Sequence, residues 1–178
     1  MSSLSPTAKI ILSFLRLRPR SGYDVRQAVG VSTQFFWGAS FGQIYPELRR
    51  LEQAGLVELE SEGGRRRRTY RLTAAGERTL DDWLRDDEDF LFQYRDEGLL
   101  RLFFSDLTDP EAALENVRRM RQWREEAAAF FRAEIQPHAD EDVELGYKFP
   151  RRALDFGLVM LEAQAKWLAE LEGELTAR

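Results

Sequence analysis

Cysteine is absent from the 178 residues, and histidine occurs once, as His138. The first absence excludes disulfide frameworks, thiolate metal sites and cysteine nucleophiles. A lone histidine between Pro137 and Ala139-Asp140 reads as a loop residue, not as a metal ligand or general base. Also missing are a phosphate loop ending in Gly-Lys-Ser/Thr and a Gly-x-Gly-x-x-Gly turn. The plentiful carboxylates fall on solvent faces of helices, with nothing to pair two of them in a pocket. Catalysis, cofactors and metals are therefore not expected. No apolar run approaches the roughly 20 residues needed to span a bilayer, and the N-terminus lacks the apolar core of a secretion signal. A soluble cytoplasmic protein is expected. With 43% hydrophobic residues the chain can bury a core, as one compact domain or two small ones.

What is present is an uneven distribution of charge. Residues 1–72 carry 12 Lys or Arg against 6 Asp or Glu, a net of +6, whereas residues 73–178 carry 14 against 25, a net of −11. The whole-chain value of −5 conceals this division. A basic first part on an acidic remainder points to a nucleic-acid module joined to a part that does not bind nucleic acid.

Residues 40–72 account for much of the basic charge. Ile44, Leu48 and Leu51 form one apolar stripe at helical spacing, and Gln43, Pro46, Arg49, Arg50 and Gln53 fall on the opposite face. Gly55 stops this helix. Leu56, Val57 and Leu59 start a strand, Gly63 and Gly64 supply a turn, and Thr69, Tyr70 and Leu72 return as a second strand. Arg65, Arg66, Arg67 and Arg68 sit at or just past the hairpin tip, where mutual repulsion would be relieved by a polyanion. Two short helices precede this unit. Ser5-Pro6 is a start signal for the first, with Ile10, Ile11, Phe14, Leu15 and Leu17 inward. Ser21 and Asp24 form a capping box for the second, which carries Val25, Ala28 and Val29 and closes at Gly30. Ser40 and Gln43 give a third capping pair, although Pro46 implies a start nearer Gln43 or distorted first turns. The outline is a winged helix-turn-helix.

Thr73 caps the next helix, which points Leu80, Trp83 and Leu84 toward the wing, and the acidic run 86–89 marks a boundary. The expected domains are therefore 1–86, with a two- to three-stranded sheet, and 87–178, mainly long helices. In the second, Leu99, Leu100, Leu102, Phe103 and Phe104 form an apolar block. Asp109-Pro110 opens a helix to about Glu134, with Ala113, Val117, Met120, Ala127 and Phe131 on one face. A loop is expected from Pro137 to Gly146. Pro150 opens a last helix carrying Leu154, Leu158, Leu161, Ala165, Leu168 and Leu171. Stripes this wide on so few helices predict pairing with a second copy through Phe103, Val117, Met120, Phe131, Leu154, Leu158, Leu161 and Leu168.

The strings SGYDV at 21–25, GQIYPELRRLEQAGLVELE at 42–60 and TYRLTAAGERTLDDWL at 69–84 together resemble the PadR family of winged-helix regulators. From Phe90 onward, with Gly157 and the Trp167-Leu168 pair, the chain is similar to the helical C-terminal region of the AphA-like subgroup. The resemblance implies a homodimer that binds double-stranded DNA, usually as a repressor, with the C-terminal helices as the dimer interface. It assigns groove contacts to Ser40, Gln43, Tyr45 and Arg49, a phosphate contact to Tyr23, and the wing to Arg65–Arg68. Gln43 and Arg49 also face outward by periodicity. Tyr45 lies on the flank of the apolar stripe, where a packed ring and a contacting ring are both open. In such a dimer the recognition helices would stand roughly 34 to 36 Å apart and read a near-palindrome, Gln43 pairing with adenine and Arg49 with guanine. Some family members hold planar effectors, for which Trp83, Phe90, Trp123 and Trp167 are candidates here, although rings at helical spacing also serve as core. The competing reading is a winged helix used for protein assembly, which would not require the +6 charge or the arginine tip.

Overall fold

The computed structural model describes residues 4–63, 67–87, 92 and 94–177. The chain divides into two compact units, Met1–Phe90 and Leu91–Arg178.

In the first unit, α1 (Pro6–Leu17) starts with Pro6 in its first turn and the Ala8 N–H donating to Ser5 Oγ at 3.0 Å. A two-residue strand, β1 (Arg20–Ser21), runs into α2 (Gly22–Gly30). There the Asp24 N–H donates to Ser21 Oγ, and the Ser21 N–H donates back to the Asp24 carboxylate at 3.0 Å. A short 3-10 turn, Thr33–Phe35, leads to α3 (Phe41–Gln53). The helix begins at Phe41 and passes through Pro46 without interruption, so the later start, one of the two alternatives that Pro46 left open, is corrected. Pro46 is exposed in the second turn and removes only the donor that would have reached the Gly42 carbonyl.

The wing is β2 (Val57–Gly63) paired antiparallel with β3 (Arg67–Leu72), and β1 adds a third strand on the far side of β3. Val57 faces Leu72, Leu59 faces Tyr70, and the register shifts between Leu59 and Ser61. Then α4 (Ala74–Arg85) packs back on α1 and β3. Its cap joins three elements, because Thr73 Oγ1 accepts the Gly76 N–H at 3.1 Å and donates to the Gly55 carbonyl at 2.7 Å. A side chain at Gly76 would place its Cβ 2.0 Å from the Leu56 carbonyl oxygen, so that position admits no other residue without displacing the helix. Ile11, Leu12, Val25, Ile44, Leu48 and Leu80 are at the centre of the core. Leu17 and Leu84, expected to face inward, are exposed.

The second unit comprises α5 (Glu97–Phe103), a 3-10 turn (Ser105–Leu107), α6 (Pro110–Phe130), a widened π turn (Phe131–Ile135), α7 (Gln136–Glu144) and α8 (Phe149–Thr176). Helices α6 and α8 run antiparallel, with Arg118 beside Glu172 and Arg124 beside Gln164. The expected loop over 137–146 is instead helical up to Glu144. The π turn comes just before Pro137, whose missing N–H would leave a gap in a regular ladder. His138 is thus an exposed helical residue, 3.8 Å from the Glu141 carboxylate. Gly146, at φ 94°, makes the turn into α8.

Two features of this unit differ from the sequence expectation. The stripe assigned to a partner copy is used within one chain: Val117, Met120, Phe131, Leu154 and Leu168 are all buried, and Leu158 and Leu161 are half-buried. Phe103 alone of that set is widely exposed. The cause is that α8 presents its leucine face to α6. What stays open is another face of α8, formed by Phe149, Phe156, Met160, Ala163 and Trp167.

The second feature is a buried cation. Arg124 is 5% exposed; its guanidinium pairs with Asp96, donates to Gln164 Oε1 at 3.0 Å and to the Met120 carbonyl at 2.9 Å, and lies 5.5 Å from the Trp123 ring centroid. Asp96 in turn caps α5 by accepting the Leu99 N–H. Removing one partner of a buried pair leaves the other uncompensated, so Arg124→Ala should cost about 3 to 5 kcal/mol. Arg132→Ala, which breaks the half-exposed pair with Glu162, should cost under about 1 kcal/mol. Urea unfolding followed by circular dichroism compares the two, and equal costs would contradict the assignment.

Candidate nucleic-acid interface

Burial of Ile44, Leu48 and Leu51 leaves Phe41, Gly42, Gln43, Tyr45, Pro46, Arg49 and Arg50 on the exposed side of α3. Arg49 makes no ion pair with any described residue and is a free cation on this face. Arg50 is partly neutralised by Glu47 at 2.9 Å, and Glu47 also accepts the Ser5 hydroxyl at 2.6 Å, tying α3 to the start of α1.

Gln43 is exposed, but one end of its amide is already committed. The N–H and the hydroxyl of Ser40 both donate to Gln43 Oε1, at 2.9 and 3.0 Å. Only the amide N–H groups remain to meet a partner. The bidentate adenine contact expected from the sequence needs one donor and one acceptor, and would break this cap.

Tyr45 combines the two readings left open for it. Its ring covers Gly22, where an added Cβ would lie 2.7 Å from Tyr45 Cε1, and it is still 46% exposed. Glycine at position 22 is therefore what lets the ring lie down. Phe41 stacks on Tyr45 with centroids 6.0 Å apart and on Tyr23 at 6.1 Å, and the Arg26 guanidinium lies 6.0 Å from the Phe41 centroid. Tyr23 Oη accepts from Gln27 Nε2 at 2.9 Å, which leaves its hydroxyl hydrogen free to donate to a phosphate oxygen. Phe41 and Arg26 were not singled out in the sequence. An aromatic residue at the first helical position, next to the assigned capping serine, was the available signal.

Of the arginine run, only Arg68 has a described side chain. Arg65 and Arg66 lie outside the described residues, and Arg67 opens β3. Arg68 is a structural residue: its Nη2 donates to Glu52 of α3 at 2.9 Å, its Nε is 3.6 Å from Glu62, and its guanidinium lies 5.3 Å from the Tyr70 centroid. It pins the wing to the end of α3. Burial pushes the Tyr70 phenol above its usual range, with Glu52 adding to the effect and Arg68 opposing it.

The aromatic residues proposed for an effector do not share one environment. Trp83 packs against the core of the first unit and lies 5.2 Å from Lys9 Nζ. Phe90 is outside the described residues. Trp123 and Trp167 are exposed on α6 and α8. A groove of about 550 Å³ in the second unit lies elsewhere, between α5 and α6, and is lined by Leu100, Phe104, Ala112 and Arg119 among others.

Residues 11–82 match the family described as Transcriptional regulator PadR-like family, and residues 94–176 match Virulence activator alpha C-term. The negative transcriptional regulator PadR of Bacillus subtilis (strain 168) is 33% identical over 97 residues. That alignment spans 53% of this chain and 53% of the relative, about half of each. Bacillus subtilis PadR in complex with operator DNA superposes with a TM-score of 0.81 at 22% identity, covering 98% of this chain and 99% of that one. The same protein in complex with p-coumaric acid gives 0.77 at 21% identity, covering 97% and 99%. The Vibrio cholerae virulence activator AphA gives 0.74 at 25% identity, covering 96% and 98%. These superpositions establish the fold. Residues 11–82 therefore form a PadR-like transcriptional-regulator domain, and residues 94–176 form an AphA-like C-terminal domain.

Proposed function

We propose that this protein is a homodimeric, sequence-specific DNA-binding repressor acting on a near-palindromic operator. The observation that carries the reading is the open face of α3, where Arg49 has no ion-pair partner among the described residues, Gln43 presents only donors and three rings lie beside them. Arg49 reads guanine through two N–H donors, and Gln43 donates to purine N7, guanine O6 or thymine O4. Tyr23 and the wing arginines grip phosphates and supply affinity with little base readout. Repression is suggested by the negative regulator among the relatives. A planar aromatic acid is the effector class suggested by the p-coumaric acid complex of that relative. Dimerisation would cover the exposed row Phe149, Phe156, Met160, Ala163 and Trp167 on α8, apolar surface of a kind that monomers rarely leave open. No described helix is long and apolar enough to cross a membrane.

Selection of bound duplexes from a random DNA library tests the proposal. Enrichment of a near-palindrome supports it, and binding without sequence preference would favour an assembly role. Three variants refine the test. Changing Arg65, Arg66 and Arg67 to Ala should lower the slope of log affinity against log salt by up to about 5 for a dimer, since each lost phosphate contact removes roughly 0.9. An unchanged slope would remove the wing from the interface. Gln43→Glu keeps an acceptor for Ser40 but has no donor, so it should bind the selected site at least about tenfold more weakly, the lower range expected for losing a specific base contact. Its thermal melting should be unaltered. Phe156→Asp with Trp167→Asp should give a monomer in sedimentation equilibrium at micromolar concentration, and a persistent dimer would place the interface elsewhere.

A further inference from the structure

The open end of α3 contains an apolar feature that hydrogen-bonding readout does not explain. Phe41 occupies the first position of the helix, 44% exposed, and stacks on two tyrosines that are themselves about half exposed, Tyr23 at 51% and Tyr45 at 46%. The rings hold one another in place, so the exposed edge of Phe41 is a fixed apolar surface and not a mobile side chain.

Gly42 supplies an independent observation. It lies in the first turn of α3, where alanine would favour the helix, and its backbone is an ordinary right-handed one. Among the described residues, an added Cβ would meet nothing nearer than Ser40 Oγ, at 3.8 Å. Neither packing nor conformation within the protein requires glycine there. A bare backbone beside a fixed ring suits the close approach of a partner.

The charge around this spot selects the partner. Arg26 lies over Phe41, and Arg49 and Arg50 share the exposed side of α3. The nearby carboxylates are engaged, Asp24 with Ser21 and Glu47 with Ser5 and Arg50. An apolar point inside a cationic surface matches a groove that is polyanionic overall but carries an isolated methyl group. In duplex DNA that group is the C5-methyl of thymine, which projects into the major groove.

We propose that Phe41, given room by Gly42, is a specificity-determining residue that reads a thymine methyl in each half-site. This deepens the DNA-binding reading and rests on it. Phe41 distinguishes thymine from cytosine by contact, and Arg26 follows the adjoining phosphate. Single-stranded base stacking fits less well, because the faces of Phe41 are already engaged by neighbouring rings.

The test replaces, one at a time, each thymine of the selected duplex by deoxyuridine, which deletes the methyl and retains every hydrogen-bonding group. Wild-type protein should lose about fourfold in affinity per half-site at one position, the equivalent of one buried methylene. Phe41→Ala should bind the thymine duplex more weakly and be indifferent to uracil there, whereas Phe41→Leu, which retains apolar surface, should keep part of the discrimination. Gly42→Ala should raise the melting temperature and yet weaken binding at least tenfold. Uracil without effect on the wild type at any position would overturn the proposal, as would a full uracil penalty in Phe41→Ala or a Gly42→Ala protein that binds normally. If wild type selects no duplex, the DNA-binding reading falls and takes this one with it. A selected site with no methyl dependence defeats only the role of Phe41.

Discussion

The burial of Ile44, Leu48 and Leu51 is the constraint on which the first unit depends. Each such side chain contributes about 1.5 to 3 kcal/mol when removed from water, and together they fix the rotation of α3 about its axis. A slip of one residue would turn the helix by roughly 100° and carry Tyr45 and Arg49 toward the core. The outward face is therefore determined by what the inward face buries. Gly22 extends the same constraint to the neighbouring helix, because the Tyr45 ring can occupy its place only where α2 has no side chain.

The wing is oriented by polar contacts from two directions. Arg68 ties β3 to Glu52 near the end of α3, and Thr73 ties the start of α4 to Gly55 in the turn after α3. Helix α3 and the hairpin thus share anchors close to where the chain passes from one to the other. Arg68, drawn from the run that the sequence assigned to the tip, thus serves to hold the wing in place. In the second unit Arg124 has a comparable role, joining the cap of α5 to α6 and α8 through one guanidinium.

The sequence made the helix starts legible because capping is local chemistry: Ser5, Ser21, Ser40 and Thr73 all stand at the N-caps they predicted. The stripes of α1 and α3 were legible for a similar reason, since spacing alone says which residues turn inward. The partners of a stripe were not. The leucines of α8 have the spacing of an intermolecular seam, but they pack on α6, and periodicity cannot tell a second copy from the same chain. Arg124 escaped notice because a charged residue at an inward position reads as an interruption of the stripe. Pro137 read as a loop because the widened turn that admits it has no sequence signature. At the interface, Gln43 and Arg49 were legible as outward polar residues. The Ser40–Gln43 capping pair was legible as well, but the commitment of the Gln43 oxygen to it, and the exposed ring of Phe41, emerged only from three-dimensional contacts.

In the proposed complex, the engaged oxygen of Gln43 would also determine what this helix refuses. An amide free at both ends can turn to suit adenine or guanine, and so tolerates more than one base. Held by Ser40, the side chain offers only hydrogens. Opposite the amino group of cytosine, two sets of donors would face each other with no acceptor between them and with their water removed. Specificity is a difference between affinities, and such a repulsive pairing widens it without strengthening the correct complex. On the proposed reading, a bond made entirely within the protein would thereby serve as a filter on the sequences it can meet.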